Sequence, residues 1–89
     1  MKNILSVFLL LVATSAFTNV FAYCEADYIK SKTSDGSVII LSSGEAWEID
    51  SIDRIDSALW LPMDDVLVCD DDSIVNKGSG EKVGARKIN

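Results

Sequence analysis

The stretch GEAWEIDSIDRIDSALWLPMDDVLVC, residues 44–69, contains both tryptophans and the only proline of the chain. In a β-strand, side chains two residues apart lie on the same face. Trp47 and Ile49 therefore share one face of a strand-like run, and Val66 and Val68 share one face of a second run. The residues between the two runs break this alternation, so the stretch predicts a strand, a connecting segment and another strand.

The connecting segment, residues 50–62, has the spacing of a short helix. Ile52, Ile55 and Leu59 recur three and four residues apart, which places them on one side of a helical turn. We expect this apolar side to face the core. Pro62 disfavours helical backbone at the residue before it, so the turn ends there.

The two tryptophans are the largest apolar side chains of this stretch, and a small core needs at least one of them. Trp47 lies on a predicted strand, and we assign it to the core. Trp60 lies beside Leu61 and Pro62 at the end of the connecting segment, and we expect it to be a partly exposed contact residue.

Residues 1–22 have the pattern of a signal peptide. Lys2 gives a positive start, an apolar run follows, and the sequence VFA precedes a cleavage site after Ala22. The apolar run is about half of the roughly 20 residues that a transmembrane helix needs. We therefore expect a mature chain of residues 23–89 that is periplasmic or secreted and has no membrane anchor.

Cys24 and Cys69 both lie in the predicted mature chain. In an oxidising compartment such a pair predicts one structural disulfide. The two residues are far apart in sequence and form no C-x-x-C motif, which argues against a redox-active pair. A domain of this size buries only about 60 % of the surface that its unfolded chain exposes, so a covalent link is typical.

The charge of the chain excludes some classes of function. Without Lys2, seven basic and fourteen acidic side chains remain, a net charge of −7. A domain this acidic is repelled by nucleic acids and by anionic membranes. The chain has no histidine, the commonest general base and transition-metal ligand. With no base beside a serine or cysteine, and little room for a deep cleft, we expect no enzyme and no cofactor.

The rest of the mature chain consists of short strand-like runs between turns rich in glycine, serine and aspartate. Gly84, inside the last run, predicts a bulge or bend. Short strands in so small a chain predict an all-β, single-domain barrel of five to six antiparallel strands with one short helical turn. We expect strands at residues 23–32, 38–41, 46–49, 65–69, 73–75 and 82–88.

The order of a meander, a helical turn and late strands is similar to that of SH3-like barrels. The motifs WEID at 47–50, IDSALWLP at 55–62 and VCDDD at 68–72 also resemble a group of short exported bacterial proteins of uncharacterised function. These resemblances imply secretion and a small β fold, and they imply no activity.

Acidic residues are concentrated around the connecting segment, where Arg54 is the only basic residue. A negative surface can dock a basic partner and accelerate the encounter. We expect the partner-binding residues to be Asp50, Asp53, Asp56 and Trp60. The alternative is that these carboxylates only favour the helix start and keep the protein soluble.

The sequence thus predicts an exported, non-catalytic binding or accessory module that recognises a protein partner through an acidic surface. The alternative is an inhibitor or immunity-type protein that blocks an enzyme with a rigid loop. The aspartates at 70–72 have the oxygen ligands that calcium prefers, but the EF-hand order and its closing glutamate are missing. We expect an exposed turn there and no metal site.

Overall fold

A computed structural model describes residues 23–89. In this part of the chain, runs of alternating apolar residues form short strands. The strands are β1 (Cys24–Lys32), β2 (Val38–Leu41), β3 (Ala46–Ile49), β4 (Asp65–Cys69), β5 (Ser73–Asn76) and β6 (Lys82–Lys87). All strand pairs are antiparallel, and the order around the closed barrel is β1-β2-β3-β6-β5-β4. The predicted all-β barrel is confirmed, with every strand within one residue of its expected bounds. The predicted signal peptide, residues 1–22, lies outside the described residues.

Two three-stranded meanders form the barrel, and β4 returns to lie beside β1. This is the Greek-key order 4-1-2-3, which needs a long connection between the third and fourth strands. Residues 50–64 make this connection, and we name them the crossover. The crossover contains a 3-10 turn (Ser51–Asp53) and α1 (Arg54–Ser57), so the predicted helical turn is confirmed. The closer likeness to SH3-like barrels stays a prediction.

The inward faces of the strands supply most of the core. Trp47 and Ile49 point inward from β3, as the alternation predicted. Each buried aliphatic side chain stabilises the fold by about 1.5–3 kcal/mol. The aliphatic residues with no exposed surface are Ile29, Ile39, Leu41, Ile49, Val66, Ile74 and Val83. Among the described residues, no helix is long and apolar enough to cross a membrane.

The predicted disulfide is present between Cys24 and Cys69. The two residues lie directly opposite each other on β1 and β4, with their Cα atoms 4.0 Å apart. The two meanders are joined at two strand pairs, β1 with β4 and β3 with β6. The disulfide therefore links covalently two strands whose cysteines are 45 residues apart in sequence.

Replacing both cysteines with serine should lower the free energy of unfolding by about 4 kcal/mol, because the unlinked unfolded chain gains the entropy of a long open loop. Urea denaturation of the oxidised protein and of the Cys24→Ser, Cys69→Ser variant measures this difference. A loss below about 1 kcal/mol would show that the disulfide does not restrain the unfolded chain as the loop-entropy relation requires.

Candidate functional site

The crossover directs its large apolar side chains toward solvent. Ile52, Ile55 and Leu59 lie on one side of the helical turn and are 84 %, 76 % and 79 % exposed. The prediction that this side faces the core is therefore wrong. We name these three residues the apolar face. Leu61 and Met63, which follow it in the chain, are also exposed.

The reason for this orientation is a close contact on the opposite side of the turn. Successive helical residues are rotated by about 100°, so Ser57 lies away from the apolar face. Ser57 is fully buried, and its Oγ donates a hydrogen bond to the carbonyl of Gly36 at 2.7 Å. A Cβ on Gly36, which has φ +77°, would lie 2.5 Å from the backbone nitrogen of Ala58. Only glycine allows this approach, and the small serine fits where an isoleucine would not.

Further hydrogen bonds hold the crossover backbone on β1. Lys32 Nζ donates to the carbonyl of Ala58 at 3.2 Å. The backbone N–H of Met63 donates to the carbonyl of Ile29 at 2.7 Å. The backbone that carries the apolar face is therefore hydrogen-bonded to the barrel in the middle and at the end of the crossover.

Two of the predicted partner-binding aspartates attach the start of the crossover to β6. Asp53 Oδ2 accepts a hydrogen bond from the backbone N–H of Gly84 at 2.8 Å. The Asp50 N–H donates to the Gly84 carbonyl at 2.9 Å. Gly84 itself stays in register opposite Ser73, so the strand has no bulge there, and a bend at Gly84 stays a prediction. A Cβ at this position would overlap the Asp50 carboxylate, which would have to move away from β6.

Trp60 does not belong to the exposed surface. It is only 3 % exposed, so the prediction of a partly exposed contact residue is wrong. Its Nε1 donates a hydrogen bond to Glu81 Oε1 at 2.8 Å, which satisfies the indole N–H inside the fold. Trp47 is buried as predicted, and its Nε1 donates to Glu45 Oε1 at 3.2 Å. Both tryptophans are therefore structural.

The carboxylates of the crossover lack basic partners within residues 23–89. The salt bridges of this region join Arg54 to Glu48, Lys82 to Asp71, Arg86 to Glu48 and Lys87 to Glu45. None of them reaches Asp50, Asp53, Asp56 or Asp64. Arg54, the only cation of the crossover, is directed to β3 instead. The four aspartates of the crossover are therefore not paired with a basic side chain within residues 23–89.

The acidic turn at 70–72 is exposed, as predicted. Asp70 Oδ1 accepts a hydrogen bond from the backbone N–H of Tyr23 at 3.1 Å, and Asp71 Oδ2 lies 3.3 Å from Lys82 Nζ. The hydrogen bond from Ser73 lowers the pKa of Asp71; desolvation opposes this effect, and the hydrogen bond and charge of Lys82 add to it. In the part of the chain that the structure describes, no cluster of acidic or cysteine side chains is arranged to hold a metal ion.

The hairpin turn that receives Ser57 depends on Asp35. Asp35 Oδ1 accepts hydrogen bonds from the Ser37 hydroxyl at 2.7 Å and from the Ser37 backbone N–H at 3.0 Å. These bonds, with a smaller contribution from Thr33, lower the pKa of Asp35 from 3.8 to about 2. The charged form of Asp35 therefore stabilises the turn beside Gly36.

Asp35 should make the stability pH-dependent in acid. The unfolded chain takes up this proton near pH 3.8 and the folded protein only near pH 2, so the contribution is complete above about pH 4 and is lost as the pH falls toward 2. Asp35→Asn should reduce the decline of the unfolding free energy between these pH values, whereas the matched variant Asp65→Asn on β4 should keep it. An unchanged decline in Asp35→Asn would contradict the role of this carboxylate.

Gly84→Ala should destabilise the protein by about 1 kcal/mol, because the added methyl group displaces the exposed Asp50 carboxylate from β6. Asp50→Ala removes the overlapping atoms, so the double variant should recover most of this loss. Chemical denaturation of the two single variants and the double variant measures the coupling between the sites. Additive effects would show that the two residues do not meet as described.

Sequence reasoning identified the crossover and its aspartates but placed its apolar side inward. One available signal was that the strands supply most of the apolar residues that the core of so small a barrel needs. The exposed Leu61 and Met63 and the half-buried Asp64 were not identified as surface features, since no periodic pattern marks them.

Comparison with protein-family models, curated proteins and solved structures gives no match for this chain.

Proposed function

We propose that the protein is an exported, non-catalytic binding module that recognises a protein partner through the crossover. The observation that supports this proposal most directly is the exposure of Ile52, Ile55 and Leu59 on a crossover that hydrogen bonds hold against the barrel. Soluble proteins rarely expose several large apolar side chains together unless a partner covers them. Burying these side chains against a partner would supply the main favourable free energy of binding.

The negative charge around the apolar face supports recognition of a basic partner. Asp56 and Asp64 are half-buried and form no salt bridge within residues 23–89. Complementary charge steers partners toward each other and rejects acidic competitors. Periplasmic or extracellular location is part of the proposal, and the disulfide supports it because such bonds persist in oxidising compartments.

A second candidate is an inhibitor or immunity-type protein that inserts a rigid turn into an enzyme cleft. Residues 61–63 favour it, because the exposed Met63 is held at φ 76°, a conformation that most residues avoid. Asp64 Oδ2 accepts a hydrogen bond from the Leu61 N–H at 2.9 Å, which fixes this turn. Under this alternative, Leu61→Ser and Met63→Ser abolish inhibition, whereas changes in the apolar face do not.

Replacing Ile52, Ile55 and Leu59 together with serine should abolish partner capture from envelope and culture-fluid extracts. Exposed substitutions usually change stability by no more than about 0.5 kcal/mol each, so the triple variant should remain folded. Ile88→Ser alters an exposed apolar residue outside the crossover and should retain capture.

Affinity capture with mass spectrometry, alongside thermal unfolding of each bait, makes this comparison. Ile49→Ala is the stability reference, because truncating a fully buried isoleucine should cost about 2–5 kcal/mol. Equal capture by the wild-type protein and the folded triple variant would contradict the proposed function.

A further inference from the structure

A groove of about 320 Å³ lies between the crossover and the turn that joins β5 to β6. Its lining includes Leu59, Trp60, Asp64 and Glu81. Leu59 also belongs to the apolar face, so the groove and the face adjoin. If a partner segment covers the apolar face with one apolar residue, the next residue of that segment would therefore reach the groove.

The two carboxylates of the groove are held in place by hydrogen bonds to one oxygen each. Asp64 Oδ2 accepts from the Leu61 N–H at 2.9 Å and from Asn76 Nδ2 at 3.1 Å. Glu81 Oε1 accepts from Trp60 Nε1 at 2.8 Å. Within residues 23–89, neither carboxylate forms a salt bridge, and Asp64 Oδ1 and Glu81 Oε2 accept no hydrogen bond. Each carboxylate can still accept a bond from a ligand.

We propose that the partner segment has a lysine or arginine beside its apolar anchor, and that this cation enters the groove between Asp64 and Glu81. The inference rests on the proposed function, because the apolar anchor is what covers Ile55 and Leu59. A cation there would donate hydrogen bonds to Asp64 Oδ1 and Glu81 Oε2. Such charge-assisted bonds are stronger than neutral ones, and the partner would shield them from water.

Other occupants fit the charge of this surface less well. A symmetric dimer would place the same patch of both copies together, and the carboxylates of each patch would repel those of the other. The apolar side chains alone would suit a lipid surface, but a domain with a net charge of −7 is repelled by anionic lipids. A basic protein segment satisfies both the apolar face and the carboxylates.

The experiment selects a phage-displayed library of random 12-residue peptides on the oxidised, exported protein. Binders retained by the triple serine variant of the apolar face are removed. The remaining peptides should combine apolar residues with lysine or arginine. Affinity of a synthetic selected peptide should fall about tenfold on Glu81→Gln, because the bond loses its charge while glutamine keeps an acceptor for Trp60.

Matched variants separate this inference from the proposed function. Asp64→Asn should weaken the peptide in the same way, and Glu25→Gln, at the disulfide end of β1, should leave its affinity unchanged. Added salt should weaken binding to the wild-type protein more than binding to Glu81→Gln.

Peptides that depend on the apolar face but lack basic residues, or that bind Glu81→Gln and Asp64→Asn as tightly as wild type, would overturn the groove assignment and leave the binding module intact. A selection without any peptide that depends on the apolar face would count against both. Sedimentation that shows a dimer abolished by the triple serine variant would assign the face to a second copy and overturn the inference.

Discussion

The buried hydrogen bond from Ser57 to the Gly36 carbonyl determines how the crossover lies on the barrel. Gly36 has no side chain, so the helical turn comes within direct contact of the hairpin, and only a small residue fits between them. Leaving that serine hydroxyl unpaired would cost about 1–3 kcal/mol, which favours this docking over others. Because the small polar side of the turn is buried, the side with Ile52 and Ile55 must face solvent.

The residues that form the core are therefore largely separate from those that form the exposed apolar face. The strands supply the aliphatic core, and the crossover contributes Trp60 to it while its isoleucines remain outside. Since Asp53 attaches the start of the crossover to β6 and Met63 attaches its end to β1, the barrel itself holds the backbone of the crossover in place. A surface that is already ordered loses less conformational entropy on binding, which increases affinity.

Local signals were sufficient for the strands, the turns and the disulfide. Period-two alternation, as at Trp47 and Ile49, indicates a strand without any knowledge of its neighbours, and two cysteines have only one possible pairing. The orientation of the crossover was not predictable in this way. A helical stripe such as Ile52, Ile55 and Leu59 looks the same whether it faces inward or outward, and the deciding contact is with Gly36, 21 residues before Ser57. Burial of Trp60 likewise depends on Glu81, an acceptor that is distant in sequence.

Methyl-resolved NMR of an isoleucine-labelled sample, with a soluble paramagnetic agent, measures whether the isoleucines of the crossover face solvent. The label gives internal references, because Ile39 and Ile49 are fully buried and Ile88 is exposed. We expect the methyl groups of Ile52 and Ile55 to be broadened as strongly as that of Ile88, and those of Ile39 and Ile49 to remain sharp. If the methyl groups of Ile52 and Ile55 were as protected as that of Ile49, the apolar face would lie inside the protein and could not be a binding surface.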